Sequence, residues 1–132
     1  MKLQIATTPE QSKRLLACGL NYKTADMTLS FCNDNFYELN ATPFHYGCFN
    51  EKDSPAWSLS ALLELLPRKI NDHDLETTLV LSPSRYSKGW IIEYIDGDVS
   101  DTLHSFRGFS LIEGCVLMIE WLTANGYILN TK

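Results

Sequence analysis

From Ser54 to Pro67 the chain reads SPAWSLSALLELLP, with one carboxylate, Glu64, and no basic residue. A water-soluble chain must hide such a stretch, and its internal spacing says how. Leu59, Leu62, Leu63 and Leu66 recur at i, i+3, i+4 and i+7, the period of one helical face, and Leu65 widens that face until only Ser60 and Glu64 remain polar. Two starts are open. Ser54 with Pro55 at the first helical position is one; Ser58 is the other, and it would set Trp57 against Leu62 as a hydrophobic staple. Pro67 disfavours helix at Leu66 and so ends the element. The expectation is a helix established by Leu59 and enclosed on most sides.

The rest of the chain must supply the enclosure. With 132 residues, 45% hydrophobic and 20% charged, it fits a single globular domain over residues 1–132 with a core of its own. Leu3 and Ile5 alternate with polar neighbours. Thr8-Pro9-Glu10-Gln11 then carries an N-cap, a first-turn proline and a capping-box glutamine, predicting a helix from Pro9 to Cys18 that Gly19 ends, with Leu20 folded back on Leu15. Met27, Leu29 and Phe31 alternate as in a strand, Asn33-Asp34-Asn35 is turn chemistry, and Phe36 to Leu39 completes a hairpin. Residues 40–53 show no fixed period and read as an ordered loop anchored by Phe44, Tyr46 and Phe49.

Beyond the leucine helix, the acidic segment around Asp72 and Asp74 reads as a loop. Thr78 to Ser82 reads as a strand, as does Trp90 to Ile95; Asp96-Gly97 is a hairpin turn, and Thr102 to Phe106 returns beside it. A last helix begins at Ser110, boxed with Glu113, and Leu111, Cys115, Met118, Ile119 and Leu122 form its core stripe until Gly126 closes it with Tyr127 over Leu122. The order α-ββ-α-ββ(β)-α predicts an α+β fold, an antiparallel sheet of about three to five strands with about three helices largely on one face.

The charge excludes some functions. A net charge of −5, from 11 basic and 16 acidic residues, argues against nucleic-acid binding, since the basic residues cluster only as the pairs Lys13-Arg14 and Arg68-Lys69. No apolar run is long enough for a membrane span, and the first residues lack the apolar core of an export signal, so a cytoplasmic protein with reduced thiols at Cys18, Cys32, Cys48 and Cys115 is expected.

Constellations that carry chemistry are incomplete. Gly108-Phe109-Ser110-Leu111-Ile112 has the outline of a nucleophile elbow, but Ile112 takes the place of the second glycine, and Ser110 is accounted for as an N-cap. Asp96, Asp98 and Ser100 match the first ligands of a calcium loop, yet Asp101 replaces the turn glycine and Arg107 the bidentate glutamate. Cys32, His45 and Cys48 could offer three zinc ligands without any C-x-x-C pair, which makes a small enzyme or metal-binding domain the rival reading. The aromatic loop from Phe44 to Phe49 would suit a small-ligand-binding domain. Neither a cofactor nor a catalytic set is expected.

The last helix has a second apolar strip, Gly114, Leu117 and Trp121, which at about 100° per residue lies away from the Leu111 to Leu122 stripe. Either the first or second helix covers it, or it is a surface for a protein partner or a second copy, centred on Trp121.

The phrases SPAWSLSALLELLP, ATTPEQSKRLLACGLNYKTADM and LIEGCVLMIEWLTANGYI resemble a group of small uncharacterised proteins of gut Bacteroidales, often associated with prophages and mobile elements. The resemblance implies a bacterial, intracellular, phage-related protein and carries over no functional residue. The expectation is therefore a non-catalytic interaction or regulatory module.

Overall fold

The computed structural model describes residues 4–33, 36–43, 52–72, 75–84, 88–97 and 101–130. Over the described residues the chain is an α+β fold of three α-helices and two antiparallel sheets. In chain order the elements are α1 (Pro9–Ala17), a short 3-10 turn (Tyr22–Thr24), β1 (Met27–Asn33), β2 (Phe36–Asn40), β3 (Ser54–Ala56), α2 (Leu59–Leu65), β4 (Lys69–Asp72), β5 (Leu75–Pro83), β6 (Trp90–Asp96), β7 (Asp101–Gly108) and α3 (Leu111–Ala124).

Each helix starts where its capping side chain sits. Thr8 and Gln11 form the reciprocal capping box of α1, whose C-terminus closes with the Leu20 amide donating to the Leu15 carbonyl at 3.2 Å. Of the two starts open for the leucine helix, Ser58 is the one used: its hydroxyl accepts from the Ala61 amide at 3.2 Å, and Asp26 Oδ1 accepts from the Ser58 amide at 2.9 Å. Ser54, the other possible start, begins β3, which pairs with β1. At Leu66 the backbone turns extended (φ −77°, ψ 125°) ahead of Pro67. Ser110 caps α3, accepting from the Glu113 amide at 3.1 Å, and the Tyr127 amide donates to the Leu122 carbonyl at 3.0 Å beyond its end.

The leucine stretch lies at the centre of the fold. Trp57, Ala61, Leu62, Leu65 and Leu66 are all buried, Ser60 and Glu64 are exposed, and Trp57 and Leu62 have no accessible surface. Burying the Trp57 indole leaves a donor to satisfy, and its N–H donates to Thr24 Oγ1 at 2.9 Å. Leu15, Ile92, Tyr94, Cys115, Met118, Ile119 and Leu122 complete the same core.

The larger sheet is a four-strand meander in the order β4-β5-β6-β7. Its registers put Leu79, Tyr94 and His104 in one row and Leu81, Ile92 and Phe106 in the next, all on the face that meets the helices. The smaller sheet, in the order β2-β1-β3, gathers a satellite cluster of Ala6, Leu29 and Ala56 with Met27, Tyr37 and Leu39.

Two details depart from the sequence expectation. Lys69–Asp72 pairs with β5 as a fourth strand instead of lying in a loop, because Ile70 fills a core position while its polar neighbours face out. The antiparallel strands also divide into two sheets rather than one.

α1 packs on α3 through polar contacts at its edge. Glu113 and Glu120 are seven residues apart, two turns on one helical face. Arg14 reaches both, with Nη1 donating to Glu113 Oε1 at 2.8 Å and Nη2 to Glu120 Oε1. Gln11 Nε2 adds a bond to Glu113 Oε1 at 2.9 Å. Burial opposes ionisation of Glu113, but the hydrogen bonds from Arg14 and Gln11 and the Arg14 charge outweigh it, so this carboxyl lies below its usual range. The same two carboxylates raise the already high pKa of Arg14. Among the described residues no helix is long and apolar enough to cross a membrane.

Candidate functional site

The strip Gly114, Leu117 and Trp121 faces the four-stranded sheet. A Cβ on Gly114 would stand 3.1 Å from Ile92 Cγ2, so the glycine lets α3 approach β6. The Trp121 indole lies flat on the His104 ring, with centroids 4.2 Å apart and planes 5° apart, and stacks on Tyr127 at 5.5 Å on its other side. His104 also meets Phe106 edge-on at 4.7 Å. Burial under these rings lowers the His104 pKa, since a charged imidazole there would lose hydration. The sequence left this strip either to the first or second helix or to a partner surface centred on Trp121; in the structure Ile92 of β6 and His104 of β7 lie against it. α1 and α2 flank other sides of α3.

Leu117 has a second environment. With Trp90, Ile92, Phe106, Phe109 and Gly114 it lines a groove of about 90 Å³ where β7 turns into α3. A neighbouring hollow of about 180 Å³ continues from it across Trp90, Arg107, Gly108 and Phe109 to Ser84 and Lys88. Two large rings stand open to solvent here, Phe109 at 81% and Trp90 at 41% exposure.

The local backbone explains why they meet. The Ser84 amide donates to the Gly89 carbonyl at 3.0 Å, closing the β5–β6 connection. Gly89 has φ +147°, and a Cβ there would lie 2.5 Å from the Gly108 carbonyl oxygen, so only glycine permits this close approach. The pinch brings Lys88 and Trp90 beside Arg107 and Phe109, which lie far apart from them in sequence.

The charge of this corner is cationic. Glu113 lines the groove but is engaged by Arg14 and Gln11. Arg107 and Lys88 are exposed, and among the described residues neither makes an ion pair. In a chain of net charge −5, two such cations beside two exposed rings form a local inversion of the overall balance.

The other residues singled out from sequence fall elsewhere. Cys32 is exposed at the end of β1, its thiol directed at the Ser30 carbonyl 3.7 Å away, while His45, Cys48 and the Phe44–Phe49 loop lie outside the described residues. Asp98 and Ser100 also lie outside them. Among the described residues no group of three His, Cys, Asp or Glu side chains converges as a metal site would require. Ser110 uses its hydroxyl structurally, accepting from Glu113 N and donating to Gln4 Oε1 at 3.1 Å. Cys18 is half-buried, and burial pushes the Cys115 thiol up to about 12, which keeps it protonated and unreactive.

Trp90 and Phe109 escaped sequence reasoning. Their one local signal is position: each bulky ring adjoins a glycine at a strand boundary, Gly89-Trp90 and Gly108-Phe109. Comparison of the chain with protein-family models, curated proteins and solved structures returned no match.

Proposed function

We propose that this chain is a non-catalytic interaction module that docks a segment of another protein in the Trp90–Phe109 groove. The observation that carries the reading is the contiguity of two exposed rings, a groove between them, and two cations without ion-pair partners among the described residues. A solitary exposed ring is ordinary on a protein surface. Rings gathered round a concavity with a polar rim are the usual anatomy of a docking site, and Trp and Arg are the side chains most often found carrying its binding energy. The reading includes a cytoplasmic setting and an accessory role in a phage or mobile element, which the resemblance of the helical phrases supports.

A peptide-display selection against the folded chain tests it. Recovered peptides should lose affinity by about thirtyfold on Trp90→Ala or Phe109→Asp, the scale of a hot-spot contact. They should bind unchanged to Ser60→Asp, a substitution on the exposed side of α2. Failure to recover any peptide, or peptides indifferent to both groove substitutions, would refute the proposal.

A further inference from the structure

We propose that the docked segment enters as an added strand on the free edge of β7, with an acidic residue opposite Arg107 and apolar residues on either side of it. The inference rests on the interaction reading above and names the partner's conformation and chemistry.

Among the described residues β7 is an outer strand of the larger sheet, paired only with β6. Among the described residues no backbone bond joins it to anything else. An antiparallel strand points alternate N–H and C=O groups to each side, so its outer row is open to a further strand. The other sheet edges are poorer templates: β4 spans Lys69–Asp72, β3 is three residues with Pro55 at its centre, and β2 has five residues. β7 has eight.

The two halves of β7 differ. A register shift interrupts its pairing between Tyr94 and Ile95, which distorts the stretch around Leu103, and such a bulge discourages strand addition there. From His104 to Gly108 the pairing with β6 is regular, and Arg107 is the single charged residue on that half. The groove opens at its end.

Strand geometry then fixes the partner's pattern. Side chains alternate between faces, so a residue opposite Arg107 lies on the outer face with it, while its two neighbours lie on the inner face beside Phe106 and Gly108. The outer position favours a carboxylate, which Lys88 reinforces. The inner positions favour apolar side chains, because Phe106, Leu117, Trp90 and Phe109 line that side. Gly108 has nothing within 4 Å of where its Cβ would be, leaving room for a bulky residue across from it. A second copy of the chain is disfavoured as occupant by the repulsion of two net charges of −5.

The probe is an end-blocked peptide of roughly eight residues, alternating Thr and Val around a central Val-Asp-Leu. It is made with its amides N-methylated on one edge, on the other edge, or not at all, and as a Val-Lys-Leu counterpart. Titrations followed by backbone amide shifts should show binding of the unmethylated aspartate peptide with shifts at His104–Gly108. Methylation of one edge should weaken it at least about tenfold, with the other edge tolerated. Arg107→Glu should reverse the preference between the aspartate and lysine peptides by about tenfold.

No binding of the unmethylated aspartate peptide overturns the proposal. So does equal tolerance of methylation on both edges, and in that case peptides that still depend on Trp90 and Phe109 leave the groove reading standing. A concentration-dependent dimer that protects the β7 amides would overturn it in favour of a second copy.

Discussion

Replacing Gly114 with alanine sets two opposed effects against each other, and the sign of the result reports where α3 lies. A glycine in mid-helix costs about 1 kcal/mol relative to alanine, so on an open face the substitution would stabilise the protein by about that much. Here the new methyl would stand 3.1 Å from Ile92 Cγ2, well inside the separation of about 3.5–4.0 Å at which carbon atoms attract best. Ile92 cannot easily yield, being 1% exposed within the main core. Forcing a methyl into a packed interior costs roughly 1–3 kcal/mol, which exceeds the propensity gain and leaves a net loss of about 1 kcal/mol. Ile92→Leu removes the contacted branch, so Gly114→Ala should be milder in that background, with a coupling of roughly 0.5–2 kcal/mol. Urea denaturation of the four proteins measures the cycle. Stabilisation by the single substitution, with additivity in the double, would refute the packing of the Gly114 strip on the sheet.

Two further predictions probe the same framework. Leu62→Ala should destabilise by about 2–5 kcal/mol in chemical denaturation because its side chain is wholly buried in the core cluster that it shares with Trp57 and α3; a change under about 0.5 kcal/mol would mean that α2 is peripheral. Arg14→Met should lower stability at neutral pH by only about 1 kcal/mol, since the Arg14 side chain is 36% exposed and the bridge is screened. Glu113 has a folded-state pKa below its ordinary value of 4.5, so its contribution is fully present above that value and is lost as pH falls through the folded one. The variant should therefore show a flatter stability curve in that acid range, and an unchanged acid limb would count against the ion-pair account.

Local chemistry made the helices legible. Thr8-Pro9-Glu10-Gln11, Ser58 and Ser110 each mark a start through a side chain that satisfies an orphan amide nearby in sequence, and the leucine period marks the buried face. The split into two sheets was not legible, because β3 is three residues long and β4 is largely polar, and each becomes a strand only through the partner it meets. The Gly114, Leu117 and Trp121 strip was visible as a second apolar face, but period alone does not say what lies against it; Ile92 and His104 do. The groove was hidden for a similar reason. It depends on the approach of Gly89 to Gly108, which no local pattern encodes, and Trp90 seen alone passes as one apolar step in an alternating strand.

The central claim, that the corner around Trp90 and Phe109 is where this chain meets another protein, is tested most directly by mapping a display-selected peptide onto the isotope-labelled protein through its backbone amide shifts. The account predicts perturbations concentrated in 88–92 and 104–111, with the Trp90 indole among the strongest and β1 and β2 silent. Perturbations centred instead on Phe31, Phe36 and Tyr37 of the smaller sheet would contradict it.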